Sequence, residues 1–219
     1  MWKKKKEAGF YEENNINKIN INKFISPMRA HKLNNHYEKI IYPCLVQKKL
    51  DGFRCLANKN NDDVYLYSKN MKKFIFLNNI KEEIKKFNNL NKNIYLDGEL
   101  YNKKLSLSEI SSIVKIKKSN KINLKKMNNI NYFIFDMFDL KNMKLTFNER
   151  FNILKNIFKN NKFKYLKLVK TTQVNDYSKI QILNDKYIQQ GYEGIIVRNK
   201  KGIYKLNSKS YNVLRTKEF

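Results

Sequence analysis

Short apolar runs, each closed by a charged or glycine-bearing step, constrain this chain more than any other feature. Leu45-Val46-Gln47-Lys48 leads into Asp51-Gly52, and Val64-Tyr65-Leu66-Tyr67 alternates with a period of two. Ile94-Tyr95-Leu96 runs into Asp97-Gly98, while Tyr132-Phe133-Ile134-Phe135 and Gly194-Ile195-Ile196-Val197 read as buried strands. Runs this short, rich in β-branched and aromatic residues, fit a pleated surface. Between them the apolar spacing lengthens to that of a helix. Ile80, Ile84 and Phe87 form one stripe, Leu107, Ile110 and Val114 a second, and Ile180, Leu183 and Tyr187 a third. Thr146 and Glu149 have capping-box spacing ahead of Ile153, Leu154, Ile157 and Phe158, and Gly191 stands where a helix end takes a glycine. The elements mix without a regular βαβ alternation, which predicts an α+β fold and not a doubly wound sheet. Pro27 and Pro43 are the only prolines and no Gly/Ser-rich linker intervenes, so residues 25–219 are expected to form one domain. Residues 1–24, polar and weakly periodic, are expected to be a mobile basic arm.

Composition narrows the partners. The 219 residues carry 46 Lys+Arg against 19 Asp+Glu, a formal net charge of +27, which makes a polyanion the default partner and nucleic acid the first choice. Lysine- and asparagine-rich codon usage is the competing source of that charge. With 42% hydrophobic and 13% aromatic residues, the chain is no disordered cationic tail. No apolar run approaches the ~18 residues of a membrane span. The Met1-Trp2 start, followed by Lys3 to Lys6, lacks the apolar stretch of a signal peptide and reads as a solvated end or a nuclear-import or nucleic-acid patch. Cys44 and Cys55 are too few for a disulfide framework or a zinc site, and His31 and His36 read as turn or surface residues. An intracellular protein of nucleus or cytoplasm is expected, not secreted and with no membrane partner.

The chemistry concentrates in five places. In Gln47-Lys48-Lys49-Leu50-Asp51-Gly52-Phe53-Arg54, Lys49 stands at a strand end with Lys48 and Arg54 nearby. Like charges favour the neutral amine, which is the nucleophilic form; read alone, Asp51-Gly52 is equally an ordinary hairpin turn. Leu96-Asp97-Gly98-Glu99-Leu100 puts an acid after a strand and turn, and Phe133-Ile134-Phe135-Asp136 ends a strand with an aromatic and an acid. Glu193-Gly194-Ile195-Ile196-Val197-Arg198 opens a strand with a carboxylate, and Leu214-Arg215-Thr216-Lys217 puts two cations on one side of an extended segment. Together these supply what nucleotidyl transfer from a triphosphate requires: an amine nucleophile, carboxylates for a divalent metal and a ribose, an aromatic for a base, and cations for phosphates.

In set and order these motifs resemble the covalent nucleotidyltransferases: ATP-dependent DNA ligases, RNA ligases and mRNA-capping guanylyltransferases. The likeness is greatest to the compact ATP-dependent DNA ligases of viruses and phages. Tyr42 to Gln47, Tyr67-Ser68-Lys69-Asn70 with Phe74, Glu193 to Asn199 and Tyr211 to Phe219 carry it, over a span from about Met28 to the last residue. The resemblance implies a nucleotidyltransferase (ATP-grasp-like) domain of two antiparallel β-sheets flanked by helices around a nucleotide cleft. It also implies an enzyme that seals nicks through a lysyl-AMP intermediate and an adenylated 5′-phosphate. Lys49 would then attack the α-phosphate of ATP, and Arg54 and Glu99 would hold the ribose and reacting phosphates. Phe135 would stack on adenine, and Glu193 with Glu99 would position Mg2+ or Mn2+. Arg215 and Lys217 would contact the α-phosphate, Arg54 and Lys69 the nicked strand, and Arg198 joins the cations assigned to ATP and the nick. The expected partner is nicked duplex DNA, bound by a monomer.

Three departures from the family pattern stand out. Lys69 takes a place where related ligases often have arginine, and Arg215 one where they usually have lysine; the two are not equivalent at a phosphate. The sequence stops at Phe219, without the OB-fold domain that follows in the family. The expectation is a nucleotidyltransferase domain alone, whether minimal, truncated or completed by a partner. Self-adenylation is then expected to be weak and sealing of a pre-adenylated nick better preserved. Rival readings are an RNA ligase, a capping guanylyltransferase, whose Trp-Lys-Pro-like last motif Leu214 to Lys217 does not match, and a catalytically weak nucleic-acid-binding relative.

Overall fold

Among the described residues, ten strands build two sheets drawn from different parts of the chain. The computed structural model describes residues 25–87, 90, 92–117 and 125–216; the arm expected over residues 1–24, with Lys3 to Lys6, and Lys217 lie outside the described residues. The strands are β1 (Arg29–Lys32), β2 (Cys44–Lys49), β3 (Phe53–Asn60), β4 (Asp63–Ser68), β5 (Ile94–Tyr101), β6 (Asn131–Asp139), β7 (Leu166–Leu168), β8 (Thr171–Val174), β9 (Gly194–Asn199) and β10 (Lys209–Arg215). Among the described residues, four α-helices of eight residues or more accompany them: α1 (Asn78–Lys85), α2 (Leu107–Val114), α3 (Phe147–Asn160) and α4 (Tyr177–Gln189). The first sheet has the order β1-β10-β9-β2-β8 and the second β4-β3-β5-β6-β7.

The expected α+β architecture of two sheets is found, and the sheets are antiparallel except at one edge each. β1 runs parallel to β10, and β7 runs parallel to β6. Parallel neighbours need a long crossover connection, which α3 provides between β6 and β7.

Alternation along the strands sorts three cores. Cys44 and Val46 of β2 pack with Ile195 and Val197 of β9 against Ile180 and Tyr187 of α4. Leu56, Tyr95 and Phe138 of the second sheet meet Met28, Ile196 and Val213 between the sheets. On its other face the second sheet packs Ala57, Leu96 and Ile134 against Ile80 and Ile84 of α1, Ile110 of α2 and Leu154 of α3. Each fully buried aliphatic or aromatic side chain stabilises the fold by roughly 1.5–3 kcal/mol.

The helix ends follow the local chemistry. The Thr146–Glu149 capping box opens α3, and Ser106–Glu109 forms a second ahead of α2. Asp176 caps α4 through the Lys179 N–H. At the far end of α4, Gly191 takes φ +79° while Gly191 N–H donates to Ile188 O (2.7 Å) and Tyr192 N–H to Tyr187 O (3.0 Å). This is a Schellman motif, and it fixes the chain that enters β9.

Two expected turns are not turns. Asp97-Gly98 lies inside β5, where the register against β6 shifts, and β6 continues past Asp136 to Asp139. A Cβ on Gly98 would meet the Phe133 carbonyl oxygen and would come within 2.6 Å of the Tyr132 ring, so the glycine serves close approach. Nor does Asp51-Gly52 close a hairpin: β2 and β3 belong to different sheets, and Leu50 to Gly52 carry the chain across. A Cβ on Gly52 would press on Leu100 O and stand 2.9 Å from Glu99 Cγ.

Candidate active site

The crossing from β2 to β3 puts Lys49 on one sheet and Arg54 on the other, where the two sheets part. Odd-numbered residues of β2 face the second sheet, so Gln47 and Lys49 point between the sheets and Lys48 points behind. Lys49 Nζ pairs with Glu193 Oε1, and Glu193 N–H donates to Lys49 O at 3.1 Å. The Schellman turn brings Glu193 there, and Gly194, at φ +127°, lies against the Thr216 hydroxyl. Like-charge crowding from Lys48 and Arg54 was the expectation for the Lys49 amine. Its partner is instead a carboxylate, because Lys48 turns to the opposite face and Arg54 is paired elsewhere.

On the second sheet, Arg54 grips Asp97 with both arms of its guanidinium, Nε to Oδ1 at 2.5 Å and Nη2 to Oδ2 at 2.6 Å. Tyr204 donates its hydroxyl to Asp97 Oδ2 at 2.6 Å. Burial works against the Arg54 charge, and Asp97 more than restores it, so its pKa is raised. Glu99 sits beside Arg54 in the β3–β5 register. Burial pushes its carboxyl up to about 8; Arg54 and Lys49 pull it down, while Asp97 and Glu193 push the same way as burial. Those four groups, drawn from both sheets, thus share one electrostatic neighbourhood with Glu99.

Phe135, half-buried on β6, lies 4.6 Å from the Arg54 guanidinium carbon and 5.2 Å from that of Arg198. Its carbonyl accepts from Gln47 Nε2 at 3.1 Å. Arg198, expected among the cations of the cleft, is instead buried and structural. It donates to Gln47 Oε1 (2.7 Å) and Asp136 Oδ2 (2.9 Å). Asp136, expected to end its strand, lies inside β6, is fully buried and also holds Arg150 through bonds of 2.8 and 3.0 Å. This network bolts the first sheet to the second and to α3 directly beneath Phe135.

The remaining candidates lie at the margins. Arg215 ends β10, half-buried, in register with Lys32 and Ile196. Lys69 is exposed in the turn after β4, and no hydrogen bond or ion pair joins it to the Lys49 cluster among the described residues. Two hollows of about 300 and 230 Å3 lie beside α1, and Lys49 lines neither of them.

Sequence reasoning missed Asp97, Tyr204, Gln47 and Arg150 as parts of the site. Arg150 carried a readable signal, since it falls on the apolar stripe of Phe147, Phe151 and Leu154, where a charge requires a buried partner. Gln47, a polar residue within an apolar strand, carried a similar one.

The donor set suits a lightly held divalent cation. Among the described residues no three His, Cys, Asp or Glu side chains converge into a cage. Glu99 and Glu193 offer two carboxylates, and a magnesium-like ion takes one or two, completing its shell with water and phosphate. Among the described residues no helix is long and apolar enough to cross a membrane.

Comparison with known proteins agrees with this arrangement. The family model described as "ATP dependent DNA ligase domain" matches residues 27–217. The DNA ligase of African swine fever virus (isolate Warthog/Namibia/Wart80/1980) is 31% identical over 171 residues, covering 77% of this chain and 39% of that protein. Among solved structures, Pmar-Lig_PreS3 superposes with a TM-score of 0.76 at 22% identity, covering 90% of this chain and 47% of the other. The Chlorella virus DNA ligase-adenylate superposes with a TM-score of 0.65 at 20% identity, covering 88% of this chain and 67% of the other. At these identities the structural likeness concerns the fold alone. The chain spans about two fifths of the length of the curated relatives it matches. With the family model covering nearly all the described residues, and with the lysine, carboxylates and aromatic gathered between two sheets, this chain belongs to the ATP-dependent DNA ligase domain family.

Proposed function

We propose that this chain performs ATP-dependent sealing of nicks in duplex DNA, with Lys49 as the nucleophile that carries AMP. The observation that carries the reading is the meeting of Lys49 and Glu193 from one sheet with Glu99 and Arg54 from the other. Lys49 Nζ forms a bond to the α-phosphorus of ATP, the α–β anhydride bond breaks, and pyrophosphate leaves. Glu193 Oε1, already on the amine, is placed to accept its proton, and with Glu99 it would hold Mg2+ or Mn2+. Such an ion supplies charge neutralisation on the transferring phosphate. Phe135 offers its ring to adenine, while Arg54 and Glu99 line the ribose side. Arg215, with Lys217, would contact the α-phosphate. AMP then passes to the 5′-phosphate of the nick, contacted by Arg54 and Lys69, and the 3′-hydroxyl displaces it. Little covalent work falls to the protein in such steps; positioning and charge neutralisation carry them. The same reading has the chain acting inside the cell as a monomer.

Incubation with labelled ATP and magnesium tests this, comparing the chain with Lys49→Ala. Label on the unmodified chain alone, together with sealing of nicked DNA, is the expected result; labelling independent of Lys49 overturns it. A covalent adduct from GTP would indicate capping chemistry, and sealing confined to RNA ends an RNA ligase. Binding of DNA with neither adduct nor product would indicate a non-catalytic relative.

A further inference from the structure

Behind the first sheet, on the side away from the cleft, Lys48 is enclosed by two tyrosines. Its Nζ donates to the Tyr192 hydroxyl at 3.0 Å, and stands 4.2 Å from the centre of that ring and 5.5 Å from the centre of Tyr187. The two rings meet edge to face, 6.2 Å apart at 81°. An amine over aromatic faces is attracted by the ring quadrupole, most strongly where water is excluded, and Tyr187 is buried. The spacing of the two tyrosines is not left to a loose loop. They are the residues whose backbones close the Schellman bond, so the helix end itself sets the cage.

Sequence neighbours make this cage matter. Lys49 follows Lys48, and Glu193 follows Tyr192. Two consecutive contacts therefore span the same gap on opposite sides of the backbone: Lys48 with Tyr192 behind the sheet, and Lys49 with Glu193 in the cleft. The bond from Glu193 N–H to Lys49 O lies between them. A slip of one residue here would exchange the two faces and turn the wrong lysine into the cleft.

We propose that the tyrosine cage is a positioning device for the Lys49 nucleophile, with Tyr192 as the positioning residue that acts through Lys48. The proposal rests on the reading of Lys49 as the residue that takes AMP. Holding Lys48 fixes the end of β2 along and about its axis, and so fixes where the next amine stands. Lys48 stands on the α4 side of β2, opposite Lys49, while Tyr192 also packs against the second sheet's core and has Lys103 Nζ 5.4 Å from its ring centre. The contribution of the cage belongs to the geometry of attack and not to ground-state binding; a misplacement of ~1 Å in a reacting group costs about 10²-fold in rate.

The experiment uses the full chain carrying Tyr192→Leu, Tyr192→Phe, Lys48→Met, and Lys48→Met with Tyr192→Leu. Self-adenylylation is followed at varied ATP, and sealing of a separately prepared adenylated nick is followed in parallel. Tyr192→Leu is expected to lower the maximal rate of adduct formation by about ten-fold or more, while KM for ATP and sealing of the adenylated nick stay at the level of the parent chain. Tyr192→Phe, which keeps the ring, should recover most of the loss, and the double variant should be no slower than the slower single one. Adduct formation at the parent rate in Tyr192→Leu and Lys48→Met overturns the proposal. So does a parallel fall in sealing across all variants, which marks a general loss of structure. A parent chain that forms no adduct refutes the nucleophile reading itself, a result distinct from any difference among the variants.

Discussion

Replacing Asp136 with asparagine tests whether the buried network beneath the cleft holds the two sheets together. Oδ1 of Asp136 accepts from Arg150 Nε and from the Met137 N–H, and Oδ2 accepts from Arg150 Nη2 and Arg198 Nη1. An asparagine fills the same space but must present an NH2 in one of the two oxygen positions. Either orientation points that NH2 at two donors, so two bonds are lost and two buried guanidinium groups lose their shared counter-charge. Hydrogen bonds to charged groups contribute about 1.5–3 kcal/mol each, and breaking a buried ion pair from one side costs about 3–5 kcal/mol. A loss of about 4 kcal/mol is a large part of the 5–15 kcal/mol typical of a folded domain. In a chain of this size it should lower Tm by roughly 10 °C. Arg198→Met should cost less, because Asp136 keeps both of its bonds to Arg150. Urea unfolding followed by circular dichroism measures both variants, with the slope against urea expected to be unchanged. A cost below about 1 kcal/mol for Asp136→Asn, or a larger cost for Arg198→Met, would refute the network as the bolt between the sheets.

Three further outcomes are expected. Gly98→Ala should destabilise by about 1–3 kcal/mol or more, since its methyl has no room against Phe133 and Tyr132; a thermal melt matching the parent chain would show that β5 relaxes freely. Glu99 holds its proton up to about 8 when folded against 4.5 as a free carboxyl, so the folded state binds more protons across that interval and stability should fall as pH rises through it. Glu99→Gln should flatten that fall in metal-free buffer, and an unaltered pH profile would mean that the carboxyl is not held protonated. Finally, DNA binding should weaken steeply with added salt if the surplus lysines grip phosphates, with a log–log slope of about −5 or steeper for six or more contacts. A shallow slope would return the excess lysine to codon usage.

The parts of the fold legible in the sequence are those in which one element buries one face. All four helices announced themselves as apolar stripes, and β2, β4, β5, β6 and β9 as short apolar runs, because each lies in or beside a core. The edge strands β1, β7 and β8, three or four residues long, did not, and neither did the interior strands β3 and β10, in which polar and charged residues interrupt the apolar run; the edge strand β4 was legible by its alternation. Asp-Gly at 51–52 and 97–98 misled because turn chemistry is local, whereas both glycines answer to backbone or side-chain atoms of another strand. In the site, the order of the motifs pointed to Lys49, Glu99, Phe135 and Glu193. It could not reveal that Arg54 is forked on Asp97, or that Arg198 is spent on Asp136 and Gln47. Those pairings exist only once two sheets have met.

The division of the chain between its sheets also sets an order of assembly. Every strand of the second sheet falls between Phe53 and Leu168, whereas the first sheet draws on residues 29–49 and again on 171–215. On a ribosome, the second sheet has all its strands while β9 and β10 are still to be made. β2, with Lys49 at its tip, stays unpaired until β8 is made and lacks its second neighbour until β9 follows, and closing that long interval is the slow, entropically costly step. Lys49 and Glu193 therefore come together last, and on the proposed role of Lys49 an AMP adduct on a growing chain would report that synthesis has passed Glu193 and that β9 has joined β2.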